Sequence, residues 1–422
     1  MFRAFRHRAY RTYWLGMAIS QVGTWMQATA QAFFVYERTG SALQTGVVTS
    51  AFTLPSLLFS LVGGAVADRY DRRCLLILTQ TGFLLSAGLL AGLTFGGWVE
   101  VWHLTVFAFV NGSLMAMDAP VRQAILPALV SREDLQNAIG LNAAMFNGSR
   151  IFGPALAGLV YQVGGPGWCF LLNALSYLAV ILPMARIRVD SQVDRRSSLL
   201  DHLLGGLRYV QGERITRSLL LLLAAVGMFG FTWTVLSPAF TVRILHGGAL
   251  ENGSLLTAVG VGSTFGALRV AGGGASHRPG RFVLTSAAAT GMALVAFSMT
   301  RHLLAALVCL SLTGFFLTSF MSATNSTIQS LVEDRYRGRV MSLYTLALIG
   351  SGPPGSLVAG SLADLVGVPA SLAVNGVLVT LSAGVCAARV PDLVRLEGQA
   401  LRRPAASRSP RTGAPEVRSG SG

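Results

Sequence analysis

Read for hydrophobic and polar positions alone, the chain alternates long apolar runs with short charged breaks. Six runs of spanning length are expected at 13–36, 44–67, 75–96, 101–117, 139–163 and 167–184, and six more at 219–242, 253–272, 282–299, 303–328, 340–365 and 369–388. Each is close to the ~20 residues that a helix needs to cross the hydrocarbon core of a bilayer. Between the two sets lies a polar stretch in which Leu199, Leu200, Leu203, Leu204, Leu207 and Val210 fall in helical rhythm, so a short amphipathic helix on the membrane surface is expected there. The pattern predicts an all-α membrane protein with twelve transmembrane helices in two pseudo-symmetric six-helix bundles. The first bundle is placed at 1–185, the cytoplasmic linker with its amphipathic helix at 186–218 and the second bundle at 219–390. The Pro/Arg/Ser/Gly-rich remainder, 391–422, is expected to be a disordered cytoplasmic tail.

The two halves are also related residue by residue. A shift of 202 aligns Gly112 with Gly314, Leu141 with Leu343, Gly148-Ser149 with Gly350-Ser351, Gly153 with Gly355, Ala157-Gly158 with Ala359-Gly360 and Asn173 with Asn375. A constant offset that retains glycines and an asparagine marks an internal repeat rather than shared apolar composition.

Composition narrows the class. With 52% hydrophobic residues, 12% charged and 48 glycines, the chain is too apolar for a soluble protein of this size. The first run is too long, and too polar inside, for a cleaved signal peptide and reads as the first span. All 33 basic residues are arginine, so a phosphate-binding loop of the Gly-Lys-Ser/Thr type is excluded and energy must come from something other than ATP held there. The absence of lysine also points to a GC-rich coding background and a bacterial source. Cys74, Cys169, Cys309 and Cys386 are scattered singly, the histidines form no ligand-spaced pair and no Gly-x-Ser-x-Gly elbow occurs. No metal, cofactor or enzymatic activity is therefore expected.

Arginine placement gives the orientation. Arg38, Arg243 and Arg301 lie in one set of loops and Arg150 inside a span, while every other arginine falls in the leader, the alternate loops, the linker or the tail. The arginine-rich side, with both termini, is therefore expected in the cytoplasm. The net charge of +15 then answers to anionic lipid headgroups rather than nucleic acid.

The charged decapeptide Gly64-Ala65-Val66-Ala67-Asp68-Arg69-Tyr70-Asp71-Arg72-Arg73 joins the second and third runs. It resembles the Gly-x-x-x-Asp-Arg-x-Gly-Arg-Arg signature of the major facilitator superfamily, with Asp71 in place of the usual glycine. Asp118-Ala119-Pro120-Val121-Arg122-Gln123-Ala124, Leu135-Gln136-Asn137-Ala138-Ile139 and Phe146-Asn147-Gly148-Ser149-Arg150 are similar to the enterobactin-exporter-like branch, often grouped with drug:proton antiporters. Gly153-Pro154-Ala155-Leu156-Ala157-Gly158 resembles the antiporter signature of the fifth helix, with Ala157 at a position usually held by glycine. The resemblance implies a secondary transporter of the bacterial cytoplasmic membrane, a monomer, working by alternating access. Its cargo would be siderophore-like, drug-like or other amphipathic or anionic small molecules, exported by proton antiport. An importer of the same fold, and a non-transporting sensor or scaffold, remain the alternatives.

The candidate residues fall into three groups. Gly64, Asp68, Arg69, Arg72, Arg73, Asp118 and Arg122 are expected to latch the cytoplasmic gate, and the resemblance places Asp68 against the N-terminus of the eleventh helix near Val340. The competing reading is a set of topology determinants and surface ion pairs worth about 0–1 kcal/mol. Arg150, close to mid-bilayer, faces a cavity or a partner because a lipid-facing guanidinium costs at least about 2.5 kcal/mol. Asn142, Thr24, Gln27 and Gln31 join it as substrate or coupling candidates, the last three on one helical face that either bonds a neighbouring helix or lines the cavity. No acid is expected at the depth of Arg150 in the first half, so the proton carrier is unassigned. Gly153, Pro154, Gly158, Pro353, Pro354 and Gly355 are expected at the rocking interface, with ordinary kinks as the alternative.

Overall fold

The computed structural model describes residues 2–187, 207–273 and 277–396, with the side chains of 60–62, 64, 65, 67 and 68 outside that description. The first half contains α1 (Arg8–Thr39), α2 (Ala42–Arg69), α3 (Arg72–Phe95), α4 (Val101–Leu129), α5 (Leu135–Gly164) and α6 (Pro166–Arg186). The second contains α7 (Arg214–Gly230), α8 (Trp233–Arg243), α9 (Ala249–Ala271), α10 (Pro279–Met299), α11 (Leu303–Leu331), α12 (Asp334–Gly350), α13 (Gly352–Val366) and α14 (Val368–Arg389), followed by the single turn α15 (Pro391–Val394).

Two expected spans are each built from two helices. The seventh breaks between α7 and α8 at Phe231 and Thr232, and the eleventh between α12 and α13 at Ser351. The second break falls where Gly350, Gly352 and Pro353 surround Ser351, since glycine adds backbone freedom and proline withholds a donor. Ten segments of the described residues are long and apolar enough to cross a membrane. Together with α1 and α5, equally long but more polar, they make the twelve. The polarity of these two helices has a structural reason, because both face the central cavity described below.

The repeat appears as matched packing. The pairing of α2 with α4 corresponds to that of α9 with α11, and the pairing of α3 with α6 to that of α10 with α14. A Cβ on Gly112 would overlap the backbone of Phe52 in α2, and one on Gly314 the backbone of Val259 in α9. The offset of 202 therefore preserves the same close helix crossing in both halves.

The cores differ between the two ends of the molecule. At the arginine-rich end each half has its own apolar core, one around Tyr13, Leu76 and Ile125 and the other around Leu223, Phe320 and Val340. At the arginine-poor end the cores are shared: Tyr36 and Ala42 pack with Leu236, Phe240 and Phe297, and Ala249 with Phe33 and Phe170.

Several expectations need correction at the helix ends. The first span starts earlier than position 13, since α1 begins at Arg8, and the leader before it packs on the start of α5: Ala4 N–H donates to Asn137 at 3.0 Å and His7 meets Asp134 at 3.0 Å. The tail is not disordered from Pro391, since α15 buries Leu393 against Gly280 and only residues from 397 lie outside the description. Most of the expected linker helix also lies outside it, and in the described part residues 207–212 are helical with Val210 buried in the second-half core.

Candidate functional site

The largest correction concerns α4. The sequence reading ends this span at Met117 and sets Asp118 and Arg122 at its cytoplasmic mouth, but the helix runs on to Leu129. Asp118 therefore lies eleven residues from that end, about 16 Å at 1.5 Å per residue, and is fully buried. Its carboxylate meets Arg122 Nε one turn on at 2.5 Å and accepts from Thr79 Oγ1 at 2.8 Å and Gln80 Nε2 at 3.0 Å. Arg122 donates to Gln21 Oε1 at 2.9 Å and approaches the sulfur of Met115 at 3.2 Å. The acid missing from the sequence reading is thus present, in a network joining α1, α3 and α4. The arrangement suits it, because a buried charge is tolerated only when paired and hydrogen-bonded.

The expected cluster of Asp68, Arg72 and Asp118 does not form around Asp118. Arg72 donates to Ala124 O at 3.1 Å, and Arg73 donates to Met184 O at 2.7 Å and Ala185 O at 2.5 Å. Both arginines thereby serve carbonyls near helix C-termini, where positive charge is favoured. Asp71 is the N-cap of α3, accepting from Cys74 N–H at 2.8 Å, which accounts for an acid where the signature has glycine. Arg69 is exposed. The side chain of Asp68 and the surroundings of Gly64 lie outside the described residues. The helix expected to face Asp68 starts at Asp334, and Val340 sits inside it, fully buried.

Above the Asp118 network a cavity of about 190 Å³ lies between the halves. Thr24, Gln27, Gln31 and Arg150 line it, with Asn111, Asn173 and Tyr177 on the first-half wall and Trp233, Leu256 and Val259 on the second-half wall. Both readings of the α1 face hold at once. Thr24 shares a hydrogen bond with Tyr177 at 3.2 Å, Gln27 accepts from Asn173 at 2.7 Å and Gln31 donates to Leu104 O at 2.9 Å, while all three border the cavity. Met115 lines the cavity too and links it to Arg122. Asn142 does not join this group; it accepts from Tyr10 at 3.2 Å near the arginine-rich end.

The rocking-interface candidates divide. Pro154 and Gly158 of α5 face α9 across the halves: a Cβ on Gly253 would overlap Pro154 O, and one on Gly158 would lie 2.9 Å from Ala249 O. Pro353 accepts across the halves from Ser50 at 2.9 Å. Gly153 instead seats Trp25 of its own half, Gly355 packs on Met228 of its own half, and Pro354 is exposed. The two interfaces mirror one another, for Gly46 of α2 approaches Ser356 O and Gly360 approaches Ala42 O as Gly253 and Gly158 do opposite.

Sequence reasoning missed the charged contact at this interface. Asp364, near the end of α13, accepts from Ser41 Oγ at 2.5 Å, Ala42 N–H at 2.9 Å and Leu43 N–H at 3.1 Å, capping the N-terminus of α2 from the other half. Arg243 adds a bond to Gly40 O at 2.6 Å. Among the described residues, every hydrogen bond between the halves lies from mid-depth to the arginine-poor end, as do those of Ser50 and of Thr257 with Ile151 O. The one signal in the sequence was an acid just ahead of the Gly367 turn in an otherwise apolar run.

Two repeated bundles enclosing a cavity, joined at one end and separately cored at the other, have the architecture of a solute transporter. A family model described as "transmembrane secretion effector" matches residues 1–407, and the chain belongs to this family of the major facilitator superfamily. The chain is 26% identical over 365 residues to the staphyloferrin A transporter of Staphylococcus aureus, covering 84% of this chain and 90% of the relative. It is 27% identical over 394 residues to the multidrug efflux pump Tap of Mycobacterium tuberculosis, covering 90% and 92%. In fold it is similar to a bacterial homologue of the human lysosomal transporter Spinster, with a TM-score of 0.73 at 14% identity over 92% of this chain and 98% of the other. A peptide transporter of the POT family gives a TM-score of 0.74 at 11% identity, over 92% and 96%.

Proposed function

We propose that this transporter exports small molecules from the cytoplasm in exchange for protons, and that Asp118 carries the proton. The observation behind this reading is the buried Asp118–Arg122 pair, whose arginine touches Met115 of the cavity wall. Protonation removes the carboxylate charge and leaves Arg122 without its counter-ion. The guanidinium must then find other partners, Gln21 on one side or the cavity past Met115 on the other. Cargo and proton are in this way set to compete through one side chain.

The arginine-rich end, placed in the cytoplasm by its charge, is the end at which the halves keep separate cores. This supports a cytoplasm-open state, ready to load, with Asp364 and Arg243 holding the outer end shut. Asp68 with Arg69, Arg72 and Arg73 remains the proposed latch for the opposite state. The relatives named as efflux pumps and efflux proteins support export over import.

The test uses inverted vesicles acidified inside and carrying an entrapped pH dye. Addition of siderophore-like or drug-like compounds should release protons through the intact chain and not through Asp118→Asn. Release unaltered in Asp118→Asn removes the role given to this acid. No gradient-dependent movement of any compound, with the protein inserted and folded, would favour the importer or sensor reading.

A further inference from the structure

Among the described residues that line the cavity, Arg150 is the single charged one, and no carboxylate accompanies it there. It sits fifteen residues into α5 and fourteen from its end, hence near mid-membrane. Among the described residues it takes part in no ion pair or hydrogen bond through its side chain; its guanidinium lies 5.7 Å from the centroid of the Trp25 ring. Trp25 is itself fixed, with Phe146 edge-on at 6.1 Å and Gly153 leaving room for its Cβ. The guanidinium therefore lies over an indole. Its N–H edges are free for a partner that the protein does not supply.

We propose that the cavity is a carboxylate site, and that the exported molecule is an amphiphile whose carboxylate is held by Arg150. This deepens the export reading above and rests on it. A planar guanidinium matches a carboxylate in a bidentate pair, and weak hydration of arginine favours this inside a poorly solvated cavity. A cationic cargo would meet an uncompensated like charge. The remainder of the cargo is apolar and flat, since Trp25, Phe52, Phe83 and Trp233 border the space where it must lie. Gln27 and Gln31, each already anchored by one hydrogen bond, offer amide groups to its polar edge without rearrangement.

The test is calorimetric binding to the purified full chain in detergent of two probes with one body, 2-naphthoxyacetate and its neutral isostere 2-naphthoxyacetamide. The acid should bind at least about tenfold more tightly than the amide, a difference that a charge-assisted bidentate pair readily supplies. Arg150→Gln should abolish the preference, and Arg150→Lys, which keeps the charge but not the fork, should retain part of it. Equal binding of both probes, binding of neither, or a preference unchanged in a folded Arg150→Gln would overturn the proposal. If Arg150→Gln does not fold, the comparison of acid with amide on the intact chain and on Arg150→Lys still decides. A chain that releases protons for neutral compounds in the vesicle assay but shows no acid preference loses this inference and keeps the export reading. A chain that prefers the acid yet moves nothing against a gradient keeps the site and loses the exporter.

Discussion

The carboxylate of Asp364 holds the hydroxyl of Ser41 at 2.5 Å across the boundary between two bundles that share no loop there. The same carboxylate takes two backbone N–H groups at the start of α2, so one side chain in the second half completes a helix in the first. The signature of the family sets an acid at the opposite end of α2.

Asp364→Asn should loosen the arginine-poor end. The contact is partly exposed, so its loss is worth about 1 kcal/mol rather than the larger value of a buried charged bond. Spin labels at Trp98 and Met299, both exposed near that end, should report a larger population of long distances in the variant. An unchanged distance distribution would show that the apolar contacts alone keep this end shut.

Asp118→Asn keeps the shape and loses the titrating group. It should abolish gradient-driven accumulation while leaving exchange of cargo down its own gradient. Asp118→Ala should in addition destabilise the protein by about 1–3 kcal/mol relative to Asp118→Asn, since it removes the buried acceptor for Thr79 and Gln80 that asparagine would keep. Thermal melts of the two variants in detergent separate the chemical from the structural role.

The glycines give a controlled comparison. Gly360→Ala puts a methyl group 2.6 Å from Ala42 O, and Gly158→Ala puts one 2.9 Å from Ala249 O, whereas a Cβ on Gly148 meets nothing within 4 Å. The first two should lower the melting temperature and push the arginine-poor end apart. Gly148→Ala should be neutral or gain up to about 1 kcal/mol from helix propensity. Equal melting temperatures for all three would mean that the helices can slide to absorb the added carbon.

Gly153→Leu tests the seat of Trp25. Its side chain would displace the indole and change the surroundings of Arg150, so tryptophan emission should shift and cargo affinity fall at least about tenfold, if the ring helps to orient the guanidinium. Stability at the interface between the halves should be unaffected, because Gly153 packs on its own half.

Hydropathy and the repeat made the spans and the pairing of halves legible, because both are written in long stretches. The breaks at Phe231 and Ser351 were not, since a single displaced turn hardly alters an apolar run. Asp118 was misplaced because an acid, two prolines and an arginine read as a loop. The Asp118 to Arg122 spacing of one helical turn, with polar Thr79 and Gln80 inside the third span, was the contrary signal. The division of Gly153 from Gly158, and of Pro354 from Pro353, needed geometry: neighbouring positions on one helix face different partners. Asp364 escaped because its value lies in what it caps, which a sequence cannot show.

The polarity of α1 and α5 also bears on how the protein is made. A segment carrying Thr24, Gln27 and Gln31, or Asn147 and Arg150, partitions poorly into lipid by itself, while α2 and α6 partition well. Made before the helices that cover it, α1 is therefore among those least able to stay in the bilayer alone. Its polar face is covered in stages, Gln31 by Leu104 O of α4 and then Gln27 and Thr24 by Asn173 and Tyr177 of α6, so the cover is complete only when α6 arrives, more than a hundred residues later. Until then its topology depends on the arginines of the leader, and assembly of the first bundle is in effect a rescue of α1 by helices made after it.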